Sequence, residues 1–218
     1  MPLDLYSFPP SPPCRSVLLV VRALGLDVNV KNVNILEGEH LTVEYIQMNP
    51  QHTIPTMDDD GFILWESRAI MGYLVDQYGT DDSLFPKQPK ERALVNARLY
   101  FDAGTLYQRL AEYFIPVLFR GEKPNPDLWK RVEEAFGFLD KFLEGNKWVA
   151  GDKITIADYS IAVTTSNAEA FGLSVDDFSQ VSRWYNNAKN SIDGFEEINQ
   201  SGANTMRDMF HARTSADS

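Results

Sequence analysis

The stretch from Asn49 to Arg68 limits the possible folds of this chain more than any other part of it. It contains Asn49-Pro50-Gln51-His52-Thr53-Ile54-Pro55-Thr56 and ends Asp60-Gly61-Phe62-Ile63-Leu64-Trp65-Glu66-Ser67-Arg68. Asp60-Gly61 between two apolar runs is a strong hairpin signal, because Gly takes the positive φ such turns need. The paired strands are expected at Thr56-Met57 and at Phe62 to Trp65. Glu66-Ser67-Arg68 then opens a helix, with Ile70, Tyr73 and Leu74 recurring at helical spacing. Ser67 is placed to cap free backbone N–H groups, and the helix start offers a seat for an anion. Pro55 cannot donate to a central ladder, so Ile54-Pro55 reads as a strand entry or a cis turn. In the cis form, Ile54 would turn its N–H and C=O outward, free to pair with an extended peptide.

Around this unit the pattern continues in order. Leu3 to Phe8 reads as a strand, Pro9-Pro10-Ser11-Pro12-Pro13 breaks it, and a helix follows from Pro13 to Leu24, stopped by Gly25. Val28 to Ile35 reads as a second strand, so strand, helix and strand imply a parallel pair. A short helix over Leu41 to Gln47 precedes the hairpin and its helix, which ends near Tyr78. The order is that of an α/β thioredoxin-like domain over residues 1–79. A polar, proline-bearing linker over 80–89 follows. Beyond it, Glu91 to Phe119, Asp127 to Leu143, Ile156 to Phe171, Ser179 to Ala188 and Gly202 to Ala212 read as helices. Residues 90–218 are thus expected to form an all-α helical domain. Thr155-Ile156-Ala157-Asp158 carries the pattern of a capping box with Asp in the acidic role. The tail after His211 is small and polar and is expected to fray.

Composition excludes several classes. At 218 residues with 44% hydrophobic and 23% charged residues, the chain has the make-up of a water-soluble globule. A formal net charge of −11 argues against a nucleic-acid or anionic-membrane surface, which needs clustered Lys and Arg. The single cysteine, Cys14, allows no internal disulfide and fits a reducing compartment. Met1-Pro2-Leu3-Asp4 lacks the features of a signal peptide, and Val17 to Val21 is too short to span a bilayer. A cytoplasmic protein is expected, and Asn199-Gln200-Ser201 reads as a chance sequon. Of three histidines, His40 and His52 lack a third ligand at a metal-binding spacing, so no metal is expected.

The run Asn49 to Pro55 followed by Asp59 to Ile70 resembles the glutathione-binding core of cytosolic glutathione transferases of the insect delta/epsilon type, delta the nearer. The resemblance extends over most of the chain. It implies a homodimer that uses glutathione as co-substrate and conjugates its thiolate to apolar electrophiles.

Ser11-Pro12-Pro13-Cys14 stands where a thioredoxin-like oxidoreductase carries Cys-x-x-Cys, and serine in the leading position removes dithiol exchange. Taken alone, Ser11 would be a helix cap. With the downstream run, Ser11-Pro12-Pro13-Cys14-Arg15 resembles the catalytic segment of delta-type transferases, which implies a hydroxyl that donates to the substrate thiolate. A thiol of pKa ~8.5 must fall by ~2 units to ionise at neutral pH, about 2.7 kcal/mol. A hydrogen bond to a charged group supplies ~1.5–3 kcal/mol and a helix N-terminus ~0.3–2 kcal/mol. Together they suffice without a general base. Cys14 reads as a half-buried structural residue pointing away from the cap.

The resemblance further implies that His40, Gln51 and His52 hold the glycyl carboxylate of glutathione. Thr53, Ile54 and Pro55 would lie along the tripeptide, with Glu66, Ser67 and Arg68 at its γ-glutamyl end. Asp102 resembles the residue that reaches the neighbouring subunit's site; read by itself it is a solvated helix charge. Tyr107, Ala111, Phe114, Ile115 and Leu118 form an apolar helical stripe that is ordinarily core. Pro116 is expected to kink that helix. By resemblance Pro13, Leu36, Tyr107, Ile115, Leu118, Phe119, Met206 and Phe210 line the electrophile pocket. The alternative is a carrier that holds apolar ligands in the same pocket with little turnover.

Overall fold

The computed structural model describes residues 3–215; residues 1–2 and 216–218, at the two ends of the expected domains, lie outside the described part. Leu3, Leu5 and Ser7 alternate inward, the period of a half-buried strand, and form β1 (Leu3–Ser7). Pro12 and Pro13 preset φ at the start of α1 (Pro12–Leu24), and Gly25 ends it in the left-handed conformation at φ 62°. β2 (Val28–Asn32) pairs parallel with β1. It is shorter than expected because Asn34 starts a turn, its side chain accepting from the Leu36 N–H at 3.1 Å. α2 (Val43–Met48) is capped by the Thr42 hydroxyl, which accepts from the Tyr45 N–H.

β3 (Thr56–Asp59) and β4 (Phe62–Trp65) close the hairpin, with Asp60 at φ 53° and Gly61 at φ 87° in the turn. β3 lies antiparallel to β1, giving a four-stranded sheet in the order β2-β1-β3-β4. α3 (Ser67–Tyr78) starts one residue earlier in its geometry than the sequence suggests. Glu66 occupies the cap position, so Ser67 is the first helical residue and not the cap.

The chain from Pro89 onward is helical: α4 (Pro89–Phe101), a π-helical turn over Asp102–Leu106, α5 (Tyr107–Arg120), α6 (Pro126–Phe142), α7 (Ile156–Ala170), α8 (Ser179–Ser191) and α9 (Ser201–Ser215). The fold is therefore a thioredoxin-like α/β unit followed by an all-helical one. The helix expected over Glu91 to Phe119 is continuous but loosened by one π turn, and Pro116 lies inside α5. α9 runs on to Ser215, so the chain does not fray at His211; the final three residues of that expectation lie outside the described residues.

α7 is the central element, with 13 of its 15 residues buried, and it packs against α1, α3, α4, α8 and α9. Its start is set by the capping box: the Thr155 N–H and hydroxyl both donate to Asp158 Oδ2, at 2.9 and 3.2 Å. The other oxygen accepts from the Val149 N–H and the Trp184 indole N–H, both at 2.9 Å. Burial pushes the Asp158 carboxyl up to about 6, against the opposing pull of these donors. Asn199 of the formal sequon is fully buried, so the folded chain offers no acceptor there.

Asp158→Ala should cost about 3–5 kcal/mol, since it leaves four buried donors without their acceptor. Urea denaturation followed by tryptophan fluorescence measures this; a loss below about 1 kcal/mol would mean the box is dispensable.

Candidate functional site

Ser11 stands at the cap position of α1, its C=O accepting from the Arg15 N–H at 3.1 Å. Its hydroxyl makes no capping bond, so the ordinary structural use of a serine at that place is not taken up. The next two residues are prolines, which carry no N–H; the Cys14 N–H is thus the only backbone donor of the first three helical positions. The head of α1 is consequently poorer in amide donors than the sequence argument assumed. Cys14 is fully buried, not half-buried. Burial pushes its thiol up, opposed by the side chain of Ser11, so the sulfur lies beside the cap and does not point away from it.

Ser11 opens onto a cleft of about 240 Å³. One side is formed by His40, His52, Thr53 and Ile54. The two imidazole rings lie 6.1 Å apart, and His40 Nδ1 is buried with no hydrogen-bond partner. Burial, with His52 alongside, lowers the His40 pKa. His52 sits at φ 45°. The Ile54–Pro55 bond is cis. The Thr53 C=O is taken by the Tyr45 hydroxyl, the Asn49 amide and the Thr56 hydroxyl. The Ile54 N–H and C=O, by contrast, have no partner among the described residues. Pro55 is buried behind Ile54. Gln51 is exposed outside the cleft, its side-chain oxygen accepting from the Trp65 indole N–H at 2.5 Å.

Glu66 and Arg68 line a neighbouring recess between α3 and α4, not the Ser11 cleft itself. Glu66 is held at φ 72°, a strained value for a residue with a side chain, and its C=O accepts from the Ile70 N–H. The first backbone N–H groups of α3 carry no intrahelical bond and can meet an anion. Ser67 is buried and its oxygen accepts from Arg68 at 3.3 Å.

Asp102 requires a correction. It is fully buried within its own chain and is not a solvated helix charge. Its Oδ2 accepts from Arg68 at 2.6 and 3.2 Å and from the Ser160 hydroxyl at 2.6 Å, and its Oδ1 from Thr164 at 2.9 Å. Burial would lower the Arg68 pKa, but Asp102 beside it more than compensates and the net shift is upward. Arg68 also lies over the Tyr107 ring, 5.2 Å from its centroid. Asp102 therefore positions Arg68, and Arg68 links α3 to a wall of the Ser11 cleft. Asp102 falls on the stripe Val95, Leu99, Leu106 and Leu110, so a carboxylate in a buried helical face was the available signal. Ser160 and Thr164, spaced i and i+4 on α7, were missed altogether.

The apolar side of the cleft is formed by Pro13, Tyr107, Ile115, Phe119 and Met206. Phe8, Ile35, Phe114 and Met209 join them and were not anticipated as walls. Burial pushes the Tyr107 hydroxyl up to about 12. Leu36 and Leu118 do not line this cleft; they flank an adjacent groove that meets it at Ile35, Phe119 and Met209. Leu36 is displaced because the turn at Asn34 points Ile35 inward instead. Phe210 is a core residue, packed on Phe171 at 4.8 Å and Tyr113 at 5.8 Å between ring centroids. No cluster of three or more potential metal ligands occurs among the described residues.

Comparison with known proteins gives the chain's relatives. The family model "Glutathione S-transferase, N-terminal domain" matches residues 1–76, and "Glutathione S-transferase, C-terminal domain" matches residues 106–191. Among solved structures, a Nilaparvata lugens delta-class glutathione transferase is 48% identical, covering 98% of this chain and 100% of that one, with a TM-score of 0.94. A Bombyx mori glutathione transferase is also 48% identical over 96% and 98% of the two chains, with a TM-score of 0.93. An epsilon-class enzyme from the housefly, Musca domestica, is 42% identical over 97% and 98%, again with a TM-score of 0.93.

Asp102→Ala should destabilise the protein by about 3–5 kcal/mol, because Arg68 loses its counter-ion in a buried position. Its glutathione affinity should fall in parallel, by about tenfold in calorimetry. An affinity equal to that of the unaltered protein would separate Asp102 from the site.

Proposed function

The chain belongs to the glutathione S-transferase family, and from that premise we propose how its residues carry out the activity and on what kind of electrophile. The enzyme is a glutathione S-transferase, and glutathione is its co-substrate. In our reading the Ile54 N–H and C=O pair with the backbone of the tripeptide, while His40 and His52 hold its glycyl carboxylate. Glu66, Ser67 and the amides at the head of α3 receive the γ-glutamyl end: the Glu66 carboxylate suits the ammonium and the amides suit the carboxylate.

The sulfur then lies at Ser11, whose hydroxyl donates to it. The thiol proton leaves to water, and the thiolate attacks an electrophilic carbon. A carbon–sulfur bond forms as a leaving group departs with its electron pair, or as a double bond conjugated to a carbonyl accepts the pair and is protonated by water. The protein contributes proximity and a stabilised anion, and no general base is needed. A serine hydroxyl at the head of α1 that makes no capping bond, facing the same cleft as His40, His52 and the unpaired Ile54 backbone, is the observation that carries this reading.

The electrophiles are apolar, because Ile115, Phe119, Met206 and Met209 offer hydrocarbon and thioether surface with few polar groups. Ile115, Met206 and Met209 beside Tyr107 and Phe119 suit flexible apolar molecules as well as ring-bearing ones. The reading includes a homodimer; Tyr100, 77% exposed, and Leu94 leave apolar surface on α4 for a second copy. It also includes a cytoplasmic location, in keeping with the lone buried Cys14. The apolar cleft would equally serve a carrier of apolar ligands, but a carrier has no use for an uncapped serine at the helix head.

Ser11→Ala should lower kcat for conjugation of a chlorinated nitrobenzene by about a hundredfold, with glutathione affinity changed less than threefold. Steady-state kinetics beside calorimetry measure both. A kcat within threefold of the unaltered enzyme would remove Ser11 from the chemistry and favour the carrier.

A further inference from the structure

Arg15 is a fully buried cation that plays no part in the site described above. It sits one turn into α1, four residues after Ser11. Its guanidinium donates to the Asn199 C=O at 2.7 Å, to the Asn199 side-chain oxygen, and to the Asn167 side-chain oxygen at 2.8 Å. Every one of these partners is neutral, and Arg15 forms no salt bridge among the described residues. Its Nε is buried with no partner among the described residues. The ionisable groups close enough to act on it are Tyr107 of α5, Cys14 of α1 and Tyr185 of α8, none of them a carboxylate. The Tyr185 hydroxyl, in turn, meets Glu169 at 3.2 Å.

Burying a cation without a counter-ion is costly, and a neutral residue of similar size would pack the same space more cheaply. Burial lowers the guanidinium only to about 10, so the charge persists at neutral pH. Room is also kept for it. A β-carbon on Gly202 would come within 2.8 Å of Arg15 Nε and equally within 2.8 Å of the Pro9 C=O. The same two distances place the guanidinium stem beside Pro9, in the loop immediately ahead of Ser11. Side chains on a helix lean toward its N-terminus, which carries the charge in that direction.

We propose that Arg15 is an electrostatic support of Ser11: its unneutralised charge lowers the pKa of the glutathione thiol at the head of α1. The proposal rests on the reading of Ser11 given above. It accounts for a helix head where two prolines have removed two of the three free amide donors. At an effective dielectric constant of ~20, a unit charge roughly 10 Å from a thiol shifts its pKa by about one unit. Arg15 touches neither substrate nor hydroxyl, so its role is positional and electrostatic. Neutral amides as partners fit this role, since a carboxylate in their place would cancel the field.

The discriminating variant is Asn199→Asp, which keeps Arg15 and its ties while giving it a counter-ion. Titration of the thiolate absorbance of enzyme-bound glutathione should show a pKa about one unit higher than in the unaltered enzyme. The pH profile of kcat/KM should move by the same amount, leaving activity about tenfold lower at neutral pH and recovered at high pH. Arg15→Lys should stay near the unaltered pKa, and Arg15→Met, if it folds, should match Asn199→Asp. A merely structural tie would be preserved in Asn199→Asp, so an unchanged pKa in that variant overturns the proposal. If bound glutathione in the unaltered enzyme titrates as it does in buffer, the reading of Ser11 fails instead, and the two failures are told apart.

Discussion

A helix buried on nearly every side has to satisfy its polar side chains from within, and α7 does so in a way that fixes the rest of the molecule. Its first turn is closed by Asp158, which gathers donors from Val149, Thr155 and Trp184. One turn on, Ser160 and Thr164 hold the carboxylate of Asp102, and Asp102 holds Arg68 at the start of α3. Near its far end, Ser166 and Asn167 meet Asn199 and Arg15, and Arg15 belongs to α1. In the interior a polar group left without its partner costs more than a satisfied one contributes, so each contact admits few alternatives. The helices that present Ser11 and Ser67 are thus both pinned to a single element of the helical unit.

This arrangement explains why a site formed largely on the sheet-bearing unit needs the helical one. The thioredoxin-like part supplies Ser11, His40, His52 and Ile54 but leaves the cleft open on one side. α5 and α9 close it with Tyr107, Ile115, Phe119, Met206 and Met209. Arg68, stacked over Tyr107 while paired with Asp102, couples the α3 end of the site to that apolar wall. Gly202, with no room for a side chain beside Arg15 and the Pro9 C=O, ties the start of α9 to α1 and the loop before it.

What the sequence revealed, it revealed through local chemistry. The hairpin at Asp60-Gly61, the stop at Gly25 and the capping box at Thr155 to Asp158 each depend on a few adjacent residues, and each lies where it was expected. Ser11 and the segment from His52 to Ile54, which line one cleft, were singled out because two short segments, Ser11 to Arg15 and Asn49 to Pro55, each carry a contiguous pattern. The misplaced residues depended on distant partners. Asp102 reads as solvated until Arg68, Ser160 and Thr164, separated from it by 34, 58 and 62 positions, are brought onto it. Arg15 escaped notice because Asn199 lies 184 positions away. Leu36 and Phe210 were displaced for geometric reasons: an Asn34 turn rotated one out of the cleft, and an aromatic cluster with Tyr113 and Phe171 drew the other into the core.

At the centre of the proposed chemistry is a sulfur kept negatively charged at neutral pH by a hydroxyl at a proline-headed helix, with little help from backbone amides. Ultraviolet titration of glutathione in the binary complex tests that most directly. The thiol is expected to ionise about two units below its value free in buffer. A bound thiol that titrates at the same pH as free glutathione would contradict the account, whatever the activity of the enzyme.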